Sequence, residues 1–405
     1  MARSPLTLAA VAASALPDTS FVGSGPLGHG ESGEFDSALL LGDDQSQYVV
    51  RVPTTQQAET DQSRELLVLQ SMSDGIRSRL PFDVHRVIGQ APVDGSRAVV
   101  YDYLYGYQVE AAAIPAGDGV AASIGGALAA IHGLPSSFVS EAGLPVQSAS
   151  DCREEARNVI ERAAATGMLP AAVKNRWLEA AADEALWRFL PTVINGSVAA
   201  DSFLITDHEA GPIVTGVLGW GSLKVSDPAH DLHWLSAAGE AAESVFAGYV
   251  AASHRSPDAL IRQRSLLYAE LELARWLLHG RDTHDEAIVA DAVSMLDGLV
   301  DSVLGNLMSP LSPATGPIMT VSDVQDMLDK NPTPPRAPSS AISMDTDSFD
   351  RSEFLSEWDK EANDETDVDE APASQDDLAT GPIDLSQLGS TEDSQRERSS
   401  SADDK

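Results

Sequence analysis

The chain has one cysteine, Cys152, so it can close no intramolecular disulfide and assemble no cysteine-based zinc site. A lone thiol fits a reducing compartment, and the cytoplasm is the expected location. Cations are scarce as well: 26 Lys and Arg face 62 Asp and Glu, for a formal net charge of -36. Nucleic-acid binding rests on cations that neutralise phosphates, so no nucleic acid is expected as a partner. Cationic small molecules or basic proteins suit such a field better. Nor does any stretch reach the roughly 20 consecutive apolar residues that span a bilayer, which argues against a membrane helix.

What is present is ample core material, 43% hydrophobic residues in a chain of 405. The opening MARSPLTLAAVAASALP (Met1 to Pro17) has one Arg, an apolar run and small residues, the composition of a secretory signal. A first helix packing on the N-terminal part of the fold has the same composition, and it is the expectation here. Near residue 309 the composition changes to MSPLSPATGP, PTPPRAPSS and then a run rich in Asp, Glu, Ser and Thr. From Val321 to Lys405 there are 23 acidic and 7 basic residues with few large apolar ones, too little to offset the entropy of ordering. A disordered acidic tail over 309–405 is therefore expected. Two pieces, VSDVQDMLDK from Val321 and SEFLSEWDKEAN from Ser352, carry apolar residues at near-helical spacing and read either as solvated tail or as segments that fold on a protein partner.

Before that boundary the order of elements is a Gly-rich stretch, strands, one helix, more strands, then mostly helices. Strands are expected at Ser37 to Leu41, Tyr48 to Val52 and Ala98 to Tyr103, the first two joined by the turn GDDQSQ. Between the second and third, AETDQSRELLVLQSM places Leu66, Leu69 and Met72 on one helical face. Past Gly106 helical periodicity dominates, with stripes Val120, Ile124, Leu128, Ile131 and Leu266, Leu273, Trp276, Leu277. Two short strands, Phe203 to Thr206 and Ile213 to Leu218, flank the turn DHEAG inside this helical part.

PTVINGSVAADSFLI followed by GPIVTGVLGWGSLKVSDPAHDL resembles the catalytic segment of the aminoglycoside/macrolide phosphotransferase family, written H-G-D-x-x-x-x-N and then, after a hairpin, I-D-W and D-P-x-x-D-L. Gly196, Trp220, Asp227, Pro228, Asp231 and Leu232 hold the matching places. Upstream, YVVRVP around Arg51 resembles the family's third strand, with Glu65 where a helix glutamate pairs with that cation. LPFDVHRVIG and VVYDYLYG resemble the next strand and the hinge between lobes, and IGGALAAIHGLP the helix that follows. The resemblance runs over about residues 1 to 305. It implies an α+β, two-lobed protein-kinase-like fold, with a small antiparallel-sheet N-lobe over 1–103 and a mainly helical C-lobe over 104–308, where the hairpin carries the metal-binding and catalytic positions. It also implies a nucleotide cleft formed by Arg51, Glu65, Gly28, Gly30, Asp102 and Tyr103.

At the positions that do the chemistry the resemblance breaks. The family histidine is matched by Asn195, the catalytic aspartate by Ser197, the metal-binding asparagine by Ser202 and the second metal-binding aspartate by Gly219. Phosphoryl transfer needs an aspartate to orient the attacking hydroxyl and magnesium to neutralise the triphosphate, and magnesium prefers carboxylate and phosphate oxygens. A serine is a poor base and a weak ligand, and glycine offers no side chain. Asp201, one residue before the lost asparagine, is the replacement candidate; Asp227 and Asp231 read as structural, capping the loop before a helix. His230 and His233 form an H-x-x-H pair without further ligands and read as core or surface residues. The stretch FVGSGPLGHGESGEF holds five glycines suited to phosphate, but Glu31 and Glu34 oppose an anion. Asn195-Gly196-Ser197 also spells a glycosylation sequon, read as accidental. The expectation is a pseudo-phosphotransferase with a binding or regulatory role, no bound metal and no cofactor, acting on a protein partner or a cationic small molecule. The alternative is an active phosphotransferase that uses ATP or GTP with magnesium in an atypical arrangement.

Overall fold

The computed structural model describes residues 2–27, 33–209, 211–254 and 258–305, the side chains of 302–305 excepted. The acidic segment expected from residue 309, with its pieces at Val321 and Ser352, lies outside the described residues.

Helix α1 (Pro5–Ala15) begins where the Ser4 hydroxyl accepts the Thr7 amide and proline supplies a helical φ at the first position. Strands β1 (Phe21–Pro26), β2 (Phe35–Gly42) and β3 (Gln47–Pro53) follow, then helices α2 (Gln56–Ser71) and α3 (Asp74–Arg77), then β4 (Val87–Val93) and β5 (Ser96–Asp102). The five strands form one antiparallel sheet in the order β1-β2-β3-β5-β4. The three strands expected in this part fall in β2, β3 and β5, and Leu66, Leu69 and Met72 are buried as the helical face predicts. Both faces of the sheet are covered, which is why β3 and β5 read as nearly unbroken apolar runs. Val49, Val99 and Tyr101 point to the inner face with α2, while Ala38, Leu40, Val50, Val52, Ala98 and Val100 point to the outer one.

The outer face is closed by α1. Leu8 is 1% exposed and Ala12 fully buried against those six residues. Just before the helix, Arg3 ties the segment down through Asp36 at 2.9 Å and Asp94 at 3.1 Å. Helix α1 thus forms a layer over the outer face of the sheet.

The second part is mainly helical: α4 (Val120–His132), α5 (Ser136–Glu141), α6 (Ala149–Ala165) and α7 (Ala171–Ala182), then strands β6 (Thr192–Ile194), β7 (Phe203–His208), β8 (Gly211–Val217) and β9 (Lys224–Ser226). A 3-10 segment over Pro228–Ala237 leads to α8 (Ala241–Ala252), α9 (Ile261–Asp282) and α10 (Glu286–Gly305). The stripe expected on α4 is buried throughout, and the expected hairpin is β7–β8. On α9 the buried face is instead Leu267, Leu271, Ala274, Leu277 and Leu278; of the expected stripe only Leu277 is fully inside. Leu266, Leu273 and Trp276 are half-buried, and the Trp276 indole donates to Asp291 of α10 at 2.9 Å. The helix is covered on several sides, so more than one stripe is apolar.

Helices α4 and α8 meet backbone to backbone. A methyl at Gly125 would lie 2.2 Å from the Val245 carbonyl, and one at Gly248 2.4 Å from that of Ala122. This approach sets Tyr249 beside His132. Among the described residues no helix is long and apolar enough to cross a membrane.

Leu8→Ala should cost about 2–4 kcal/mol in urea unfolding followed by circular dichroism, because it opens a cavity under a fixed helix. Leu6→Ala, at a position 76% exposed, should change stability by less than about 0.5 kcal/mol.

Candidate functional site

The turn at 195–197 leaves β6 and enters a 3-10 turn over Ala200–Ser202 that leads into β7. It is held from behind by Asp231, whose two carboxylate oxygens accept the Asn195 amide at 2.7 Å and the Gly196 amide at 2.8 Å. Gly196 is required there: its φ is +85°, and a methyl would come within 2.4 Å of the Ser222 carbonyl. Behind Asp231 stands His132, with Nε2 3.3 Å from Asp231 Oδ2 and Nδ1 2.8 Å from the Tyr249 hydroxyl. Burial, reinforced by the negative charge of Asp231, holds the Tyr249 phenol well above its ordinary pKa.

The polar groups in front of this brace are satisfied by one another. Asn195 is fully buried; its Nδ2 donates to the Gly219 carbonyl at 3.0 Å, and its Oδ1 accepts the Ser197 amide at 3.2 Å. The Ser197 hydroxyl lies 3.4 Å from Asn195 Oδ1 and 3.5 Å from the Gly219 carbonyl. Ser202 Oγ accepts the Ala199 amide at 3.1 Å, and the Ser202 carbonyl accepts the Leu218 amide at 2.8 Å. The structure therefore brings Asn195, Ser197 and Gly219 into one hydrogen-bonded group, with Ser202 one strand start away. Two hydroxyls and a carbonyl already in use are a poor set for magnesium, which favours carboxylates, so these residues do not fit the ion. Among the described residues no group of three or more His, Cys, Asp or Glu is placed to hold a metal. Asp201 is half-buried, and its carbonyl accepts from the Gln108 side chain.

Arg51 and Glu65 come together on the inner face of the sheet, Nη1 to Oε2 at 3.8 Å, with side chains 3% and 1% exposed. The Phe35 ring covers the guanidinium, with its centre 4.0 Å from the central carbon. Burial lowers the pKa of Arg51, with Glu65 as the main opposing charge. Glu65 Oε1 also accepts the Trp220 amide at 3.3 Å, so α2 is linked to the chain just past Gly219. Arg51 Nε, Glu65 Oε2 and the Tyr101 hydroxyl are buried without hydrogen-bond partners among the described residues. Asp102 turns its carboxylate to the Arg86 amide at 2.6 Å, while its carbonyl lies 3.2 Å from His85 Nδ1. Tyr103 packs edge-on against Tyr105 with ring centres 4.9 Å apart. Gly28, Gly30 and Glu31 lie outside the described residues.

The remaining candidates serve the core. Asp227 is fully buried, accepts Arg264 Nε and Nη2 at 2.7 and 3.1 Å and the Tyr268 hydroxyl at 3.1 Å, and caps the 3-10 segment through the Ala229 amide. Burial opposes the Arg264 charge, but hydrogen bonds to Asp258 and Asp227 outweigh it and raise its pKa. His230 is half-buried, with its Nδ1 shielded from solvent and its ring 5.5 Å from that of His233 and 5.3 Å from that of Tyr268. The sequon is sealed, since Asn195 has no exposed surface. Sequence reasoning missed His132, Tyr249, Phe35 and Arg264. His132 was within reach, because it stands in the quoted IHGLP segment; Tyr249 meets it from a helix 117 residues away.

A family model described as phosphotransferase enzyme family matches residues 29–267. No curated protein matches the chain. Among solved structures, the apoenzyme of macrolide 2'-phosphotransferase MphH from Brachybacterium faecium is 19% identical, with a TM-score of 0.59 over 71% of this chain and 97% of that one. A macrolide 2'-phosphotransferase type I is 22% identical, with a TM-score of 0.57 over 73% and 98%. The GDP complex of wild-type aminoglycoside 2'-phosphotransferase-IIIa is 18% identical, with a TM-score of 0.58 over 73% and 98%. At these identities the likeness is one of fold.

Asp231→Ala should cost roughly 3 kcal/mol in urea unfolding, because two backbone donors and His132 lose their acceptor, and Asp231→Asn, which keeps one acceptor, should cost less. Burial first, then the charges of His233, Arg275 and Lys224, hold His230 well below its ordinary 6.5. The unfolded chain then takes up a proton near pH 6.5 that the folded chain refuses, so this group makes stability fall as pH drops below about 6.5. His230→Phe should flatten the melting temperature between about pH 6.5 and 5 relative to the parent; an unchanged slope would refute that assignment.

Proposed function

Because the chain belongs to the phosphotransferase enzyme family, we propose that it is a pseudo-phosphotransferase, a member that keeps the two-lobed fold for a binding or regulatory role and no longer transfers phosphate. The observation that carries this is the closed group at the turn, where Asn195, Ser197 and the Gly219 carbonyl bond to one another and offer no carboxylate. A hydroxyl in that position neither deprotonates an acceptor near neutral pH nor compensates the charge of a triphosphate. Arg51, with a side chain 3% exposed beneath Phe35, braces Glu65 as the family's third-strand cation does, so the reading rests on the turn alone.

On this reading the lobes are 1–103 and 104–308, followed by the acidic segment 309–405. The role is to hold a protein partner or a cationic small molecule, which a net charge of -36 attracts, and the single, buried thiol suits the cytoplasm.

The test is a thermal-shift titration of the full chain with ATP, GTP and GDP, each with and without magnesium, alongside transfer assays on kanamycin and a macrolide. The nucleotides and acceptors are those of the structural relatives or of the family. No saturable rise in melting temperature with magnesium-nucleotide is expected, and no transfer. A binder of the native state must raise the melting temperature, so a saturable magnesium-dependent rise, or transfer abolished by Arg51→Ala, would overturn the reading in favour of an enzyme with an atypical metal arrangement.

A further inference from the structure

On the reverse side of the Asp231 brace lies a hollow of about 710 Å³ between the end of α4, the start of α5, β6 and the N-terminal turn of α9. Its size falls in the range of about 300 to 1,000 Å³ typical of small-ligand sites. Ala129, Leu134, Phe189, Val193 and Ile261 make the floor apolar. Two cations stand at the mouth of a chain that is otherwise strongly acidic. Arg79 is exposed and has no ion pair among the described residues, while Arg188 has only a solvent-exposed contact with Glu184 at 3.4 Å. Among the described residues the one carboxylate of the lining, Asp258, is engaged by Arg264 at 2.7 and 2.9 Å. Thr192 Oγ1 is buried without a partner among the described residues, a polar group still to be satisfied beside the serines and histidines that share the wall with the apolar floor.

The hollow's inner wall is made by His132 and Tyr249, the same pair that backs Asp231. Whatever fills it therefore presses on the pair that backs the carboxylate holding the Asn195 and Gly196 amides.

We propose that this hollow is a regulatory pocket for a small amphiphile with one anionic group, whose apolar body fills the floor and whose anion meets Arg79 and Arg188. An apolar body gains from the floor, and the guanidinium of Arg79 supplies charge-assisted hydrogen bonds to a carboxylate or sulfonate. A cationic amphiphile of the same length meets two like charges and is rejected. The pocket lies apart from the cleft, so its occupancy does not depend on whether the chain transfers phosphate.

Isothermal titration of the full chain with dodecanoate, kept below its micelle concentration, tests this directly, with dodecylammonium as the opposite-charge probe. One saturable site for dodecanoate is expected. Arg79→Ala should weaken it roughly tenfold, the worth of one charge-assisted contact. Ser137→Trp, at an exposed position of the rim, should block it, and both variants should melt like the parent. Hydrogen exchange at the Asn195 and Gly196 amides should slow when dodecanoate is bound. Absence of saturable binding, equal affinity for dodecylammonium, or indifference to both substitutions would overturn the pocket. Binding with unaltered exchange at the two amides would overturn its regulatory character.

Discussion

Two oxygen atoms of one buried carboxylate hold the centre of this protein in place. Asp231 takes the amides of two successive residues, Asn195 and Gly196, at the point where the chain turns from β6 toward β7. The Asn195 amide is buried, that of Gly196 partly so, and their own strand has ended, so without this acceptor they would carry a desolvation cost. Once they are fixed, Asn195 can reach the Gly219 carbonyl and Ser197 can reach Asn195, and the two halves of the β7–β8 hairpin are registered against the turn. The brace has its own support. His132 comes from α4 and Tyr249 from α8, and they meet because glycines let those helices touch backbone to backbone.

A second level of order comes from cations buried on carboxylates. Arg264 lies between Asp227 and Asp258, Arg176 donates to Glu270, and Arg51 faces Glu65. Such pairs contribute little net stability over an apolar alternative, yet loss of one partner strands a charge in the core. Their effect is to specify geometry. Arg264 fixes the start of the 3-10 segment that carries Asp231, so the deepest ion pair and the turn at 195–197 are three steps apart along one set of bonds.

The elements legible in the sequence were those with a local signature. Strands β3 and β5 showed in their valine runs, β2 in its short apolar run before the turn, α2 and α4 in their stripes, and the D-P-x-x-D-L segment in its spacing. Asp227 could be read as a cap because capping is a local act, but its partner Arg264 could not, because an arginine inside a helix of mixed composition reads as solvated until its burial is known. Phe35 over Arg51 depends on strand register, and the His132–Asp231–Tyr249 set draws on three separate elements. On α9 the periodicity selected Leu266, Leu273 and Trp276, which face flanking helices, whereas Leu267 and Leu271 face the centre. Helix α1 gave no periodic signal, since small and apolar residues surround it on all sides.

That first helix also has a kinetic side. It is synthesised before any of its partners, and the face it covers is finished only when β5, some ninety residues later, joins β3. Contacts that distant in sequence form late, after a long loop has closed. Through that interval LTLAAVAASAL is an apolar segment whose packing face is only partly made, open to chaperones and to other unfolded chains. The layer that completes the N-lobe is therefore made first and fully covered only once strands from both ends of that stretch are present.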